Sequence, residues 1–236
     1  MLEEILPASV AVREVRGDIA EAALFPEEQE VIGRAVEKRR REFRTARACA
    51  RAALSQLGIE PQAIPSGERG APQWPAGTVG SITHCDGYRA AALAREADLA
   101  TIGIDAEVDA ALPDGVLNDI ALPEERRALQ ALAREEPGLS WDRLLFSIKE
   151  SIYKAWFPLA ERWLGFEDAR VTIDPERRSF GARLLVPGPQ LEGAELSGFS
   201  GRWLARDGLL LAAIAVPPGA GRVGLGVGAD ATVGED

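Results

Sequence analysis

Apolar and polar positions change their spacing along this chain, and each change marks an element. Val10 to Val15 alternates as a strand does, with side chains two apart on one side. Pro26-Glu27-Glu28-Gln29-Glu30 places proline early and acids in the first turn, which predicts a helix start. The Ala- and Arg-rich stretch Val31 to Leu57 continues that helix and closes at Gly58. Pro61 to Pro75, punctuated by Gly and Pro, predicts a loop. Val79 to Thr83 predicts a short strand. Tyr88 to Ala94 and Leu99 to Asp105 predict a hairpin joined through Arg95-Glu96-Ala97-Asp98.

The second half begins with a loop and short helix over Leu112 to Ile120, then an amphipathic helix over Pro123 to Glu135 and a longer one over Trp141 to Phe157. Strands follow at Arg170 to Ile173, Phe180 to Leu185, Gly201 to Ala205 and Leu209 to Val216. The last two form a hairpin that turns at Arg206-Asp207-Gly208. Tyr88 to Ala94 and Leu209 to Ala215 read as matching strands, a pattern compatible with an internal duplication. From Pro217 onward Gly, Pro, Ala and Asp dominate, which predicts a disordered tail. Trp141, Trp156, Trp163 and Trp203 sit in apolar patterns and are expected in packing.

A chain of 236 residues with 46% apolar content can bury a full core. No apolar run approaches the roughly 20 residues that cross a bilayer, and Met1-Leu2-Glu3-Glu4-Ile5-Leu6 carries acid where a signal peptide carries base. A cytoplasmic protein without a membrane partner is expected. Cys49 and Cys85 offer neither a disulfide framework nor metal-ligand spacing. Cys49 is expected to be buried in its helix. His84 and Cys85 are adjacent on a strand and point to opposite faces, which disfavours a Cys/His nucleophile.

The net charge of −10 argues against a general nucleic-acid binder. Within it, residues 34–51 hold eight basic residues (Arg34, Lys38, Arg39, Arg40, Arg41, Arg44, Arg47, Arg51) against Glu37 and Glu42. Such a run is part solvated helix face and part candidate phosphate clamp, because guanidinium forks match phosphate geometry.

The chemistry concentrates in two segments. In Gly103-Ile104-Asp105-Ala106-Glu107, at a strand end, Asp105 and Glu107 project together while Ala106 faces away. Paired carboxylates repel unless a cation sits between them, and a hard cation such as Mg²⁺ suits oxygen ligands shared with a phosphate-bearing substrate. In Ser147-Ile148-Lys149-Glu150-Ser151-Ile152-Tyr153-Lys154, Glu150 and Lys154 share a helix face. Facing the acidic pair, they make a site for phosphoryl transfer.

Upstream lie Gly67-Glu68-Arg69-Gly70-Ala71-Pro72-Gln73-Trp74-Pro75 and Val79-Gly80-Ser81-Ile82-Thr83-His84-Cys85-Asp86-Gly87. With these in place the chain resembles the 4′-phosphopantetheinyl transferases of the Sfp type. Those proteins share, in this order, a Gly-Lys/Arg-Pro-like loop, a Ser-His-Ser-like strand end, a Gly-Ile-Asp-x-Glu strand and a Ser-x-Lys-Glu-x-x-x-Lys helix. The resemblance covers about residues 30 to 215.

It implies an α+β fold of two similar halves (1–107 and 108–216, with 217–236 as tail) related by a pseudo-two-fold axis, the site lying in the cleft between them. It implies transfer of 4′-phosphopantetheine from coenzyme A to a serine of an apo acyl or peptidyl carrier protein, releasing adenosine 3′,5′-bisphosphate, by a monomer. Asp105, Glu107 and Glu150 would hold Mg²⁺. Glu150, Lys154 and Asp105 would be catalytic, with Glu150 as base for the carrier serine and Lys154 on the leaving phosphate. Arg40, Arg47, Arg69, Thr83, His84 and Lys154 would bind the coenzyme, and Trp74 could line its cleft. Cys85 stands where the family has a serine, and Pro72 is displaced one residue by Ala71. Two other readings of the same residues stay open: a different Mg²⁺-dependent phosphoryl-transfer or nucleotide-hydrolysing enzyme, and a non-catalytic coenzyme A or carrier-binding module. The absence of GxxxxGK[ST] counts against a P-loop enzyme.

Overall fold

The structure, a computed structural model, describes residues 1–33 and 35–220. Arg34 of the basic run and residues 221–236 of the expected tail lie outside the described residues. Residues 217–220 form a turn in which Ala220 N donates to Pro217 O, and Ala220 is buried.

After β1 (Ala11–Arg16) the expected single helix is two, α1 (Pro26–Ile32) and α2 (Glu37–Gln56). Gly33 is a weak helix former, and Val36 takes an extended backbone (ψ 155°) to start α2 afresh. The break lets α1 fold back, so that buried Glu28 accepts two bonds of 2.9 Å from Arg51 Nη1 and one of 2.9 Å from Ile64 N. Helix α2 then packs Cys49, Ala50, Ala53 and Leu54 against Ala91 and Leu93. Cys49 is buried, as expected.

Strands β2 (Thr78–Cys85) and β3 (Tyr88–Arg95) form the hairpin of the first half, turning at Asp86-Gly87 with Cys85 opposite Tyr88. The hairpin expected between 88–94 and 99–105 does not form. Strand β3 already has β1 on one side and β2 on the other, so it offers β4 (Thr101–Val108) no free edge. Strand β4 is instead hydrogen-bonded along its length to β10 (Leu209–Val216). A division after residue 107 puts β4 with the first half, whereas its ladder belongs to the second sheet.

That sheet runs β4-β10-β9-β6-β5, with β5 (Ala169–Asp174), β6 (Ser179–Leu184) and β9 (Gly198–Arg206); β7 (Gln190–Leu191) and β8 (Ala194–Glu195) make a separate ribbon. The predicted β9–β10 hairpin is present, closed by Asp207 and Gly208, both at positive φ (51° and 72°), as a two-residue turn of primed type requires. Helices α3 (Val116–Ile120), α4 (Pro123–Glu135) and α5 (Trp141–Ala160) complete the second half. Buried Lys149 of α5 reaches Glu125 Oε2 of α4 at 2.8 Å, while Glu125 Oε1 accepts from Val171 N of β5 at 2.7 Å.

The molecule is α+β, its two similar halves related by a pseudo-two-fold axis. In each half a long helix covers a sheet, α2 over β3 and α5 over β4 and β10. Between the sheets lies a shared core of Leu2, Val12, Tyr88, Ile102, Ile104 and Leu211. Where the halves meet, β2 and β4 run side by side in different sheets. Side-chain hydroxyls bridge them: Ile104 N donates to Ser81 Oγ at 3.1 Å and Ala106 N to Thr83 Oγ1 at 3.0 Å.

Candidate active site

A cavity of about 720 Å³ opens along this seam, with α2, the loop 66–72 and β2 on one side and β4 and α5 on the other. Asp105, Glu107, Glu150 and Lys154 all line it, as do Arg47, Arg69, Thr83 and His84. Arg40 does not.

The acidic floor starts on β4. Ile104 and Ala106 face the core between the sheets, so period-2 alternation turns Asp105 and Glu107 the other way. Asp105 is 5% exposed; its Oδ1 accepts from Lys154 Nζ at 2.6 Å and Thr83 Oγ1 at 3.1 Å. Its Oδ2 is buried without a partner. Glu107 Oε2 accepts from Arg143 Nη1 at 3.1 Å. Lys154 also donates to Ile104 O at 3.2 Å. Burial raises Glu150, with the Asp105 charge adding to the effect and Lys154 opposing it. Burial likewise raises Glu107, helped by Asp105 and opposed by Arg143. Two carboxylates that burial pushes toward neutrality beside a third would be favoured in their charged forms by a cation placed among them.

Among the described residues no group of three or more His, Cys, Asp or Glu side chains is drawn together to hold a metal ion. The three carboxylates share a cleft without forming a closed cage. The donor set still fits Mg²⁺, which keeps several waters or phosphate oxygens and asks the protein for one or two carboxylates. Asp105 Oδ2 is one oxygen left over for it.

The opposite wall is cationic. Arg39, Phe43, Ala46 and Arg47 recur at helical spacing on one face of α2 and line the cavity. Arg47 is buried, stands 4.2 Å over the Phe43 ring, and donates to Ile64 O at 2.7 Å and Ser66 Oγ at 3.0 Å. Burial lowers its pKa to about 10, which leaves it charged at neutral pH. Arg39 Nη1 donates to His84 Nε2. Burial, with the Arg39 charge, lowers the His84 pKa, so the imidazole is neutral and can accept that bond. Arg40, expected in the coenzyme set, turns back to Ala35 O at 2.9 Å and Gly33 O at 2.6 Å. Counting two turns of 3.6 residues back from Arg47 reaches Arg40 rather than Arg39, so periodicity favoured Arg40, and its bonds to the α1–α2 connection are what turn it away from the cavity. Elsewhere in the run, Arg41 pairs with Asp18 and Arg51 with Glu28.

Loop residue Arg69 sits at φ +53° directly before Gly70 at φ +79°, a strained conformation for a side-chain-bearing residue. Its guanidinium lies 5.4 Å from the Trp163 ring centre. Trp74 lines the cavity and donates through Nε1 to Gly80 O at 3.0 Å. Trp141, Trp156 and Trp203 are packed as expected. Trp163 is not: it is 59% exposed, its ring centre 5.1 Å from that of Tyr153 with the planes tilted by 55°. Phe146, Tyr153 and Phe157 add an apolar wall. They follow Glu150 and Lys154 around one face of α5, a spacing visible in the sequence.

Fold and cleft together define a class: paired α+β halves that set a cationic wall against an acidic floor, suited to a phosphate-bearing ligand. Residues 27–94 match the 4′-phosphopantetheinyl transferase N-terminal domain, and 101–196 match the 4′-phosphopantetheinyl transferase superfamily. The 4′-phosphopantetheinyl transferase Svp of Streptomyces mobaraensis is 51% identical over 224 residues, 94% of this chain and 91% of that protein. Npt of Nocardia iowensis is 51% identical over 91% of this chain and 99% of its own length. PptT of Mycobacterium tuberculosis is 46% identical over 91% and 97% respectively. The chain belongs to the 4′-phosphopantetheinyl transferase superfamily and is a transferase.

Proposed function

We propose that this enzyme transfers the 4′-phosphopantetheine arm of coenzyme A to a serine of an apo acyl or peptidyl carrier protein, in an Mg²⁺-dependent reaction of the Sfp type. The observation that carries the reading is the convergence of Asp105, Glu150 and Lys154, from distant stretches, on one cleft whose far wall holds Arg39, Arg47 and His84. The Sfp assignment rests on both halves lying in one chain and on the four ordered motifs. Since one chain supplies both walls, we read it as a monomer working in the cytoplasm.

Asp105 and Glu150 would hold the cation, with Glu107 in direct or water-mediated contact. When bound, Mg²⁺ supplies charge neutralisation at the coenzyme diphosphate. Arg47, Arg69 and the Arg39–His84 pair offer donors to the coenzyme's phosphates. The apolar wall of Tyr153, Phe157 and Phe146 suits the uncharged pantetheine arm. Glu150, its carboxyl raised by burial, takes the proton of the carrier serine. The serine oxygen then bonds to the phosphorus bearing the pantetheine, and the bond from that phosphorus to the bridging oxygen breaks. Adenosine 3′,5′-bisphosphate departs with the electron pair, its new charge facing Lys154.

The test is mass spectrometry of an apo carrier incubated with the enzyme, coenzyme A and Mg²⁺. A gain of one phosphopantetheine arm is expected, with none when Mg²⁺ is chelated. Hydrolysis of coenzyme A without carrier modification would favour a nucleotide-hydrolysing enzyme; binding without turnover would favour a non-catalytic module. A panel of acyl and peptidyl carriers measured side by side identifies the preferred partner.

A further inference from the structure

The residue that deepens this reading is Thr83. Its side chain is buried at the seam, and its single hydroxyl is committed twice. It accepts from Ala106 N at 3.0 Å and donates to Asp105 Oδ1 at 3.1 Å. A hydroxyl has one proton to give, and here it goes to the carboxylate. Lys154 Nζ reaches the same Oδ1 at 2.6 Å. Two donors on one oxygen fix rotation of the carboxylate and leave Oδ2 buried and unsatisfied. An unpaired buried carboxylate oxygen is costly, so an arrangement that enforces it points to a ligand.

We propose that Thr83 is a positioning residue in place of the coenzyme contact that the family resemblance implies: with its hydroxyl already committed to Ala106 N and Asp105 Oδ1, it presents Oδ2 to the divalent cation and sets the affinity of the site for that ion. The inference rests on the metal-dependent transferase reading above. Ser81 is its internal control. It bridges the same seam through Ile104 N but makes no bond to a carboxylate.

The experiment compares wild type with Thr83→Val, Thr83→Ser and Ser81→Ala. Mn²⁺ binding to the protein–coenzyme A complex is read from the free-ion electron paramagnetic resonance signal, alongside the Mg²⁺ dependence of transfer and KM for coenzyme A. Outer partners of metal ligands typically tune affinity by about 10- to 100-fold, so Thr83→Val should weaken Mn²⁺ by about tenfold or more. Its Mg²⁺ half-saturation should rise in parallel, with KM for coenzyme A at saturating Mg²⁺ unchanged. Thr83→Ser restores Mn²⁺ binding, and Ser81→Ala retains it. Wild-type Mn²⁺ affinity in folded Thr83→Val overturns the proposal, as does a rise in KM for coenzyme A alone, which would make Thr83 a coenzyme contact. If Thr83→Val does not fold, Thr83→Cys replaces it: its weak thiol donor should lower Mn²⁺ affinity, and wild-type affinity overturns the idea. A wild type that transfers without any divalent ion defeats the metal reading itself, whereas a Mg²⁺-dependent wild type matched by Thr83→Val defeats this inference alone.

Discussion

Glu150 carries a cost in the free enzyme, because burial and Asp105 both favour its neutral form. A carboxyl raised above its unfolded value of 4.5 contributes stability that is complete below that value and is lost as pH climbs through the folded pKa. At pH 7 the folded chain bears that loss. Glu150→Gln removes it, so the coenzyme-free protein should melt at a higher temperature than wild type at pH 7. The gain should shrink toward zero near pH 4, where wild type is also neutral; melts from pH 4 to 8 check this. Carrier modification should fall by about 10²-fold or more, the usual weight of a positioned base. The arginines divide on geometry. Arg39→Ala should raise KM for coenzyme A by about tenfold, as loss of a charge-assisted bond does. Arg40→Ala, whose guanidinium binds Gly33 O and Ala35 O, should leave KM unchanged.

Strand β4 and helix α5 meet backbone to backbone, and that contact delivers Asp105 to Lys154. Gly103 makes it possible: a Cβ there would stand 2.0 Å from Ser151 O and 2.8 Å from Ala155 N. Neither neighbour is a flexible chain end, so Gly103→Ala should cost about 3 kcal/mol or more, read by urea denaturation, and should impair transfer in whatever fraction folds. Most elements were legible from local pattern. Pro123–Glu135 is α4 as predicted and Leu209–Val216 is β10, since proline-started amphipathic runs and fully apolar strands carry their own signals. The pairing of β4 was not legible. Its apolar pattern says that both faces are buried and says nothing about which edge is open, a matter settled by β1 occupying the far side of β3.

For the whole molecule, the notable balance is a net charge of −10 against a cleft wall of Arg39, Arg47 and Arg69. A polyanionic coenzyme approaches an acidic protein and must be drawn to a local positive field. Screening shortens the reach of that field from about 10 Å at 0.1 M salt to about 3 Å at 1 M. The dissociation constant for coenzyme A should therefore rise with KCl, by about tenfold between 0.05 and 0.5 M, as calorimetric titration would show. No helix among the described residues is long and apolar enough to cross a membrane.

What the sequence determined by itself was the kind of each element and the face each reactive group occupies. Asp105 and Glu107 share a side because strands repeat every two residues, and Glu150 and Lys154 share one because helices repeat every 3.6. Tertiary structure alone decided which of these faces meet. It paired β4 with β10, turned Arg39 rather than Arg40 into the cleft, left Trp163 exposed, and committed the Thr83 hydroxyl to Asp105. Periodicity is local and written residue by residue. Contact between halves depends on free edges, seam hydroxyls and close backbone approaches, which exist only after the chain has closed on itself.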